Sequence, residues 1–318
     1  MLEPYRSIGE LTTGRITMQT APTVCFVAPT HHSYKIYNTK LVLQNISPHF
    51  GSAVRAALSD GDRVYARLAG QVVNMHYYHI VKSWQVDDPH EGTQSILLKV
   101  GDAVLLAESS TLTLINVRDN EISSMDVGFD MIEVVHPETY INKVVVAGAK
   151  NLELWNFNSE RKIFSFTEVL FKGRENEIDL VITAVEASNV LDVIAVALSS
   201  GVILMLNLRT AQVIFELKQK TGVTAMSFSR SGRPILATGN SKGSIIFWEL
   251  QEKRILGKLP HAHQGPITSM LFVPEDALVL SASSTDNCLK QWRYDEVEKE
   301  HFRMLRQRVG LSSPIISF

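Results

Sequence analysis

Seven times along the chain an apolar stretch closes on an aromatic or bulky residue followed by a polar one. In order these pairs are Tyr37-Asn38, Trp84-Gln85, Ile115-Asn116, Trp155-Asn156, Leu206-Asn207, Trp248-Glu249 and Trp292-Arg293. Their spacing is about forty residues, the length of one four-stranded antiparallel unit. A single unit of that size cannot bury its own apolar face, so copies must stack on one another, and a ring of blades lets every copy do so. The expectation is an all-β, seven-bladed β-propeller. Such a ring is a rigid platform whose working parts are surfaces rather than a reaction centre.

Seven units fill the 318 residues. The net charge of −2 argues against a protein whose whole surface grips nucleic acid and leaves room only for a local basic patch. Two cysteines, Cys25 and Cys288, make no disulfide framework and point to a reducing, intracellular compartment. The first residues lack a basic segment followed by an apolar run, so no secretory signal is read there. Residues 190–208 are apolar enough to suggest a membrane span. Asp192 and the Ser199-Ser200-Gly201 break divide them into two strand-length runs, which predicts a buried hairpin and no membrane partner.

Units six and seven are drawn most clearly. In unit six VTAMSFS, PILATG, SIIFWEL and RILGKL follow one another, separated by turn residues, and unit seven repeats the order with ITSMLFV, LVLSASS, CLKQWRY and HFRMLRQR. Units three to five show the same order. Unit one starts near Ile16 and unit two near Ala53, and residues 71–83 run on without an evident turn. Residues 295–308 are charged enough for a short helix or an extended outer strand. Residues 1–310 are expected to form the propeller. Residues 311–318 read as the opening of a further blade, which either completes the first blade or starts a second propeller; the second reading is preferred.

The strongest local pattern is His263, Asp286 and Trp292 with Ser281 or Ser283 on the strand between, and Ser283 is the member chosen. In WD-repeat blades such a set forms a hydrogen-bonded chain that stabilises only when every member is satisfied. A Ser-His-Asp catalytic set is the alternative, but the Trp six residues beyond the Asp belongs to the structural chain and not to a triad, so no enzyme is expected. His261 and His263 lack a third ligand, which argues against a metal. No Gly-rich phosphate loop, zinc-spaced Cys pairs or nucleophile elbow occurs, so no cofactor or small-molecule substrate is expected. Lys299, Arg303, Arg306 and Arg308 are candidates for phosphate contact. His31-His32 and His76-Tyr77-Tyr78-His79, with Tyr77 and Tyr78 foremost, are candidates for partner contact.

Three segments together resemble one family. They are Leu2-Glu3-Pro4-Tyr5-Arg6-Ser7-Ile8-Gly9 near the start, the regular repeat from Ala262-His263-Gln264-Gly265-Pro266-Ile267 to Trp292, and Leu305-Arg306-Gln307-Arg308-Val309-Gly310-Leu311-Ser312-Ser313-Pro314. The last is similar to a Leu-Arg-Ser-Arg-x-Gly-His-Ser-Ala-Pro linker, departing from it at Gln307 and Leu311. The resemblance is to the WD-repeat subunit of the UtpB module of the small-subunit processome, which has two propellers and a helical C-terminal domain. It implies a non-catalytic scaffold in ribosome biogenesis and pre-18S rRNA processing, located in the nucleolus of the nucleus. Its implied partners are other UtpB and processome subunits, with pre-rRNA or a guide snoRNA beside them. A WD-repeat substrate receptor of a ubiquitin ligase, or a trafficking coat subunit, is the competing reading.

Overall fold

The computed structural model describes residues 11–13, 15–20, 22–88, 93–174, 180–274, 278–283, 285–294 and 302–310. They form seven four-stranded sheets, each made of consecutive strands. Blade one holds β1 Thr17–Gln19, β2 Cys25–Pro29, β3 Tyr34–Asn38 and β4 Leu43–Ile46, and blade two holds β5 Ala56–Asp60, β6 Arg63–Leu68, β7 Gln71–His76 and β8 His79–Gln85. Blade three has β9 Ser95–Val100, β10 Ala103–Glu108, β11 Thr111–Asn116 and β12 Ile122–Asp126. Blade four has β13 Met131–Val135, β14 Lys143–Gly148, β15 Leu152–Asn156 and β16 Arg161–Ser165. Blade five has β17 Ile182–Ala187, β18 Val193–Leu198, β19 Val202–Asn207 and β20 Gln212–Lys218. Blade six has β21 Val223–Phe228, β22 Ile235–Asn240, β23 Ile245–Glu249 and β24 Arg254–Leu259. Blade seven has β25 Ser269–Val273, β26 Leu278–Ser283, β27 Cys288–Tyr294 and β28 Phe302–Val309. The fold is a seven-bladed β-propeller.

Within a blade the sequence dictates which strand goes where. Second strands such as KVVVAG and VIAVAL are apolar on both faces and almost wholly buried, as a strand covered on both sides must be. Fourth strands such as RKIFS are exposed along their length and carry charges that discourage edge pairing. Residues 190–208 contain the predicted hairpin, β18 and β19. Among the described residues no helix is long and apolar enough to cross a membrane.

The residue that ends each third strand has a structural reason. Between the third and fourth strands the pairing shifts by one residue just before Tyr37, Trp155, Leu206, Trp248 and Trp292. The following polar residue then closes the turn with its side chain. Asn38 accepts from the Lys40 and Val42 amides, Asn116 from Arg118, Asn156 from Asn158 and Asn207 from Arg209. Asn is favoured here because its short side-chain carbonyl reaches its own backbone two residues on.

Trp84-Gln85 does not belong to this series. It lies at the end of β8, the fourth strand of blade two, and the equivalent bulge falls before Met75 on β7. Substituting Met75 makes the steps from Tyr37 to Ile115 nearly equal. The turn hidden in residues 71–83 is the two-residue connection Tyr77-Tyr78, with His76 paired to His79. Tyr77 adopts φ 53°, a conformation that favours Gly or Asn, and the absence of either left the turn unmarked in the sequence. The widest step, from Trp155 to Leu206, accommodates the helix α1, Thr167–Phe171, between blades four and five. No helical period is legible there because the helix is a single short turn anchored by Phe166 and Leu170.

The chain divides into two compact units, Met1–Asp88 with Ser229–Phe318, and Pro89–Phe228. The second unit has cores centred on Val145, Leu154, Val196 and Leu204 and on Leu105, Val134 and Val146. In the first unit blade seven meets blade one directly. Leu11, Ile16, Phe26 and Tyr37 pack with Val273, Leu280 and Leu289 in one apolar cluster. The Leu11 amide donates to Asn287, the Ile16 amide to Ser269, and the Gln291 side chain to the Thr39 carbonyl, at 2.8, 2.9 and 2.6 Å. Both blades draw all four strands from their own stretch of chain. Residues 311–318 lie outside the described residues.

Candidate contact surfaces and the blade-seven network

The His263 set forms a continuous chain of hydrogen bonds. Trp292 Nε1–H donates to Ser281 Oγ at 2.8 Å, Ser281 Oγ lies 2.8 Å from His263 Nε2, and His263 Nδ1 lies 3.0 Å from an Asp286 carboxylate oxygen. The same oxygen accepts the Gln264 amide at 3.1 Å. With neutral imidazole every proton has an acceptor: Ser281 gives its hydroxyl proton to Nε2, and Nδ1–H points at the carboxylate. Burial pushes the His263 pKa below the ordinary imidazole value, against the pull of Asp286. Ser281 is fully buried and its oxygen already accepts the Trp292 indole N–H, so the arrangement is a structural clamp rather than an accessible nucleophile.

The serine is Ser281, not Ser283. Val279 pairs with Trp292, which makes Ser281 the diagonal neighbour on the same face and within reach of the indole N–H. Ser283 pairs with Cys288, farther along the ladder, and its buried hydroxyl has no hydrogen-bond partner among the described residues. Blade six repeats the diagonal, with Leu236 opposite Trp248 and the indole donating to Thr238 at 3.1 Å. Blade four has Val146 at that position, and Trp155 turns to Glu153 at 2.9 Å instead.

Of the charged candidates, Lys299 lies outside the described residues. Arg303, Arg306 and Arg308 are on β28. Arg306 pairs with Gln291 and Arg303 with Arg293, across the bulge between Gln291 and Trp292. Without it, residues three apart in a strand would face opposite ways. The bulge therefore gathers all three arginines on the face that Gln291 turns toward blade one. Arg308 is used there, its Nε donating to the Leu41 carbonyl at 2.7 Å. Arg303 and Arg306 are exposed. Tyr77 and Tyr78 are 58% and 59% exposed at the β7–β8 turn, and Ile80 and Val81 beside them are also exposed. This is a contiguous aromatic and apolar edge rather than scattered single residues. Among the described residues no group of His, Cys, Asp and Glu is placed to hold a metal ion.

Residues 26–295 match the model of the WDR36/Utp21 first beta-propeller family. The chain belongs to that family. It is similar to the U3 small nucleolar RNA-associated protein 21 homolog of Schizosaccharomyces pombe, 28% identical over 80% of this chain and 27% of that protein. It is similar to human WD repeat-containing protein 36, 26% identical over 92% of this chain and 32% of that one. With the Saccharomyces cerevisiae U3 small nucleolar RNA-associated protein 21 it shares 28% identity over 59% of its length and 20% of the yeast protein's. The chain thus spans about a third or less of these curated relatives. A crystal structure of the computationally designed Ika8 protein superposes with a TM-score of 0.69 at 16% identity, covering 98% of this chain and 92% of that one, which speaks to fold alone. The family match covers every blade in whole or in part; of the three segments that carried the resemblance it takes in the repeat from Ala262 to Trp292 and neither 2–9 nor 305–314.

Proposed function

We propose that this propeller is the first of two in a non-catalytic scaffold for small-subunit processome assembly and pre-18S rRNA processing, working in the nucleolus. The observation that carries the reading is the match of residues 26–295 to a family described as a first propeller. Relatives named for association with U3 small nucleolar RNA support it. Residues 1–310 then constitute one propeller and 311–318 lead into the next, in keeping with a seventh blade that needs no strand from elsewhere. Partner subunits of the UtpB type would engage the aromatic edge at Tyr77 and Tyr78, and pre-rRNA or a guide snoRNA the exposed Arg303 and Arg306. Affinity comes from a few such anchors rather than from area, and a second propeller would add avidity. The test is affinity purification of the tagged full-length protein from cells, with mass spectrometry and RNA sequencing. Processome subunits with pre-rRNA and U3 RNA are the expected result. Ubiquitin-ligase adaptors or coat subunits without rRNA would overturn it.

A further inference from the structure

The outer hairpin of blade seven presents a row of guanidinium groups. β27 and β28, with the β3–β4 turn and β4 of blade one, hold Lys40, Lys290, Arg293, Arg303, Arg306 and Arg308 and no Asp or Glu. In a chain of net charge −2 this is a strong local excess. The acids of the β27–β28 connection, Asp295, Glu296, Glu298 and Glu300, lie outside the described residues. Arg293, Arg303 and Arg306 are exposed, and none of them is paired with an acid among the described residues.

The ladder puts these side chains on one face. Arg303 pairs with Arg293, Arg306 with Gln291 and Arg308 with Leu289, so their partners on β27 are two residues apart and point the same way. Phe302, next to Arg303, stacks its ring on Phe247 of blade six at 3.7 Å and 15°. The arginines therefore face away from blade six and toward blade one. There Arg308 Nε donates to the Leu41 carbonyl at 2.7 Å and the Gln291 side chain to that of Thr39 at 2.6 Å. Arg306 Nη1 lies 3.4 Å from Gln291 Oε1, which ties it into the same seam. Lys40, exposed, stands between Thr39 and Leu41 in the turn that receives these bonds.

Two features of this face call for an anion that binds by charge alone. Arg293 and Arg303 stand directly opposite each other, about 5 Å apart at Cβ, and like charges so placed destabilise a sheet. The face also lacks an exposed apolar anchor of the kind a protein partner needs. Met304 and Val309 are exposed, but they pair with Trp292 and Cys288 on the other face, and Leu305 is the extra residue of the bulge. That bulge discourages the addition of a partner strand. We propose that Arg293, Arg303 and Arg306 grip the phosphate backbone of RNA without regard to base. A guanidinium fork takes two oxygens of one phosphate, and such contacts need no apolar burial. The choice of RNA rests on the scaffold reading above and deepens it, adding Arg293 and the kind of contact; the location of the row does not depend on that reading.

Fluorescence anisotropy with labelled oligouridine, titrated at several salt concentrations, tests this on the full chain. The double variant Arg293→Gln with Arg303→Gln should bind about tenfold more weakly, two exposed charge contacts having gone. It should also flatten the slope of log affinity against log salt by about 1.4, at about 0.7 for each single-strand phosphate. Arg303→Lys should bind within about twofold of the parent, since the charge remains. Oligocytidine should bind as oligouridine does, because phosphate contacts carry no sequence information. Arg303→Glu should weaken binding yet melt about 1–2 °C higher than the parent, because it pairs with Arg293 across the ladder. Opposite changes in melting and binding separate a lost contact from a damaged fold. Arg118→Gln, which removes an exposed cation paired with Asp102, should bind as the parent does. Failure of the parent to bind oligouridine, or equal binding by parent and double variant, would sink the proposal. A salt slope as steep in the double variant as in the parent would do the same, since the acids of 295–301 would then already neutralise the row. So would a tenfold preference for one base, a lower melting temperature in Arg303→Glu, or binding of polyglutamate in place of oligouridine. A chain that fails here yet still recovers processome subunits from cells would leave the scaffold reading standing.

Discussion

Trp84 and Trp292 are both buried indoles, yet only one has a partner for its N–H. Trp292 donates to Ser281, whereas Trp84 Nε1 is buried with no hydrogen-bond partner among the described residues. Trp292→Phe should therefore cost about 1–3 kcal/mol, because Ser281 and the chain behind it lose a donor. Trp84→Phe should stay within about 1 kcal/mol of the parent, since the smaller ring removes an unsatisfied polar group as well as some volume. Thermal melts of the two variants side by side make the comparison, and equal losses would contradict it. His263 gives a second residue-scale expectation. Its folded pKa is lowered, so the unfolded chain binds the proton more tightly. The stability this brings is fully present above about pH 6.5 and is lost as the pH falls through the lowered value. Between about pH 7.5 and 5 the parent's Tm should fall more steeply than that of His263→Gln, which should start lower and respond less.

At the scale of the element, the bulge between third and fourth strands accounts for most of what the sequence left obscure. It recurs before Tyr37, Met75, Trp155, Leu206, Trp248 and Trp292, while in blade three Ile115 pairs with Ile122 without a shift. The extra residue on the fourth strand points to solvent, which explains exposed Val81, Ile163, Ile214 and Leu305. A bulge bends and twists an edge strand, so these apolar residues sit where pairing with another chain is discouraged. Val81→Lys should accordingly change stability by less than about 0.5 kcal/mol in urea melts. Val73→Ala, fully buried on the adjacent strand, should cost about 2 kcal/mol. The same device places Arg303 on one face with Arg306 and Arg308, a grouping that straight strand periodicity would deny.

For the whole molecule, the join between the last blade and the first is made, among the described residues, by packing and a few polar ties, with each blade's four strands drawn from its own stretch of chain. Leu280 is 1% exposed in the cluster to which both blades contribute. Leu280→Ala should cost about 2–5 kcal/mol and raise hydrogen exchange in both β1–β4 and β25–β28. Exchange raised in blade seven alone would show that the two blades are less coupled than their common core implies. Arg308 and Gln291 add polar ties across the same boundary, so the basic row proposed for RNA is partly structural, and of the arginines on β28 only Arg303 and Arg306 are exposed for a ligand.

The forty-residue repeat and the strand order of units three to seven were readable because they depend on local pattern: two-residue alternation and the need of each unit to stack. The clamp of blade seven was readable as a set of residue types, but the choice between Ser281 and Ser283 turned on register, a cross-strand relation that spacing along one strand cannot fix. The same holds for Met75 in place of Trp84, since both are large apolar residues near the expected interval and only the pairing reveals which one follows the bulge. His49 drew no notice beside His31-His32. Main-chain bonds from residues 50 and 54 back to the β2–β3 turn bring its ring against that of His32. The sequence alone determined that this chain is a propeller of seven four-stranded blades; tertiary contacts decided which side chains meet at its surface, because those meetings are set by registers and loop anchors that spacing along the chain does not fix.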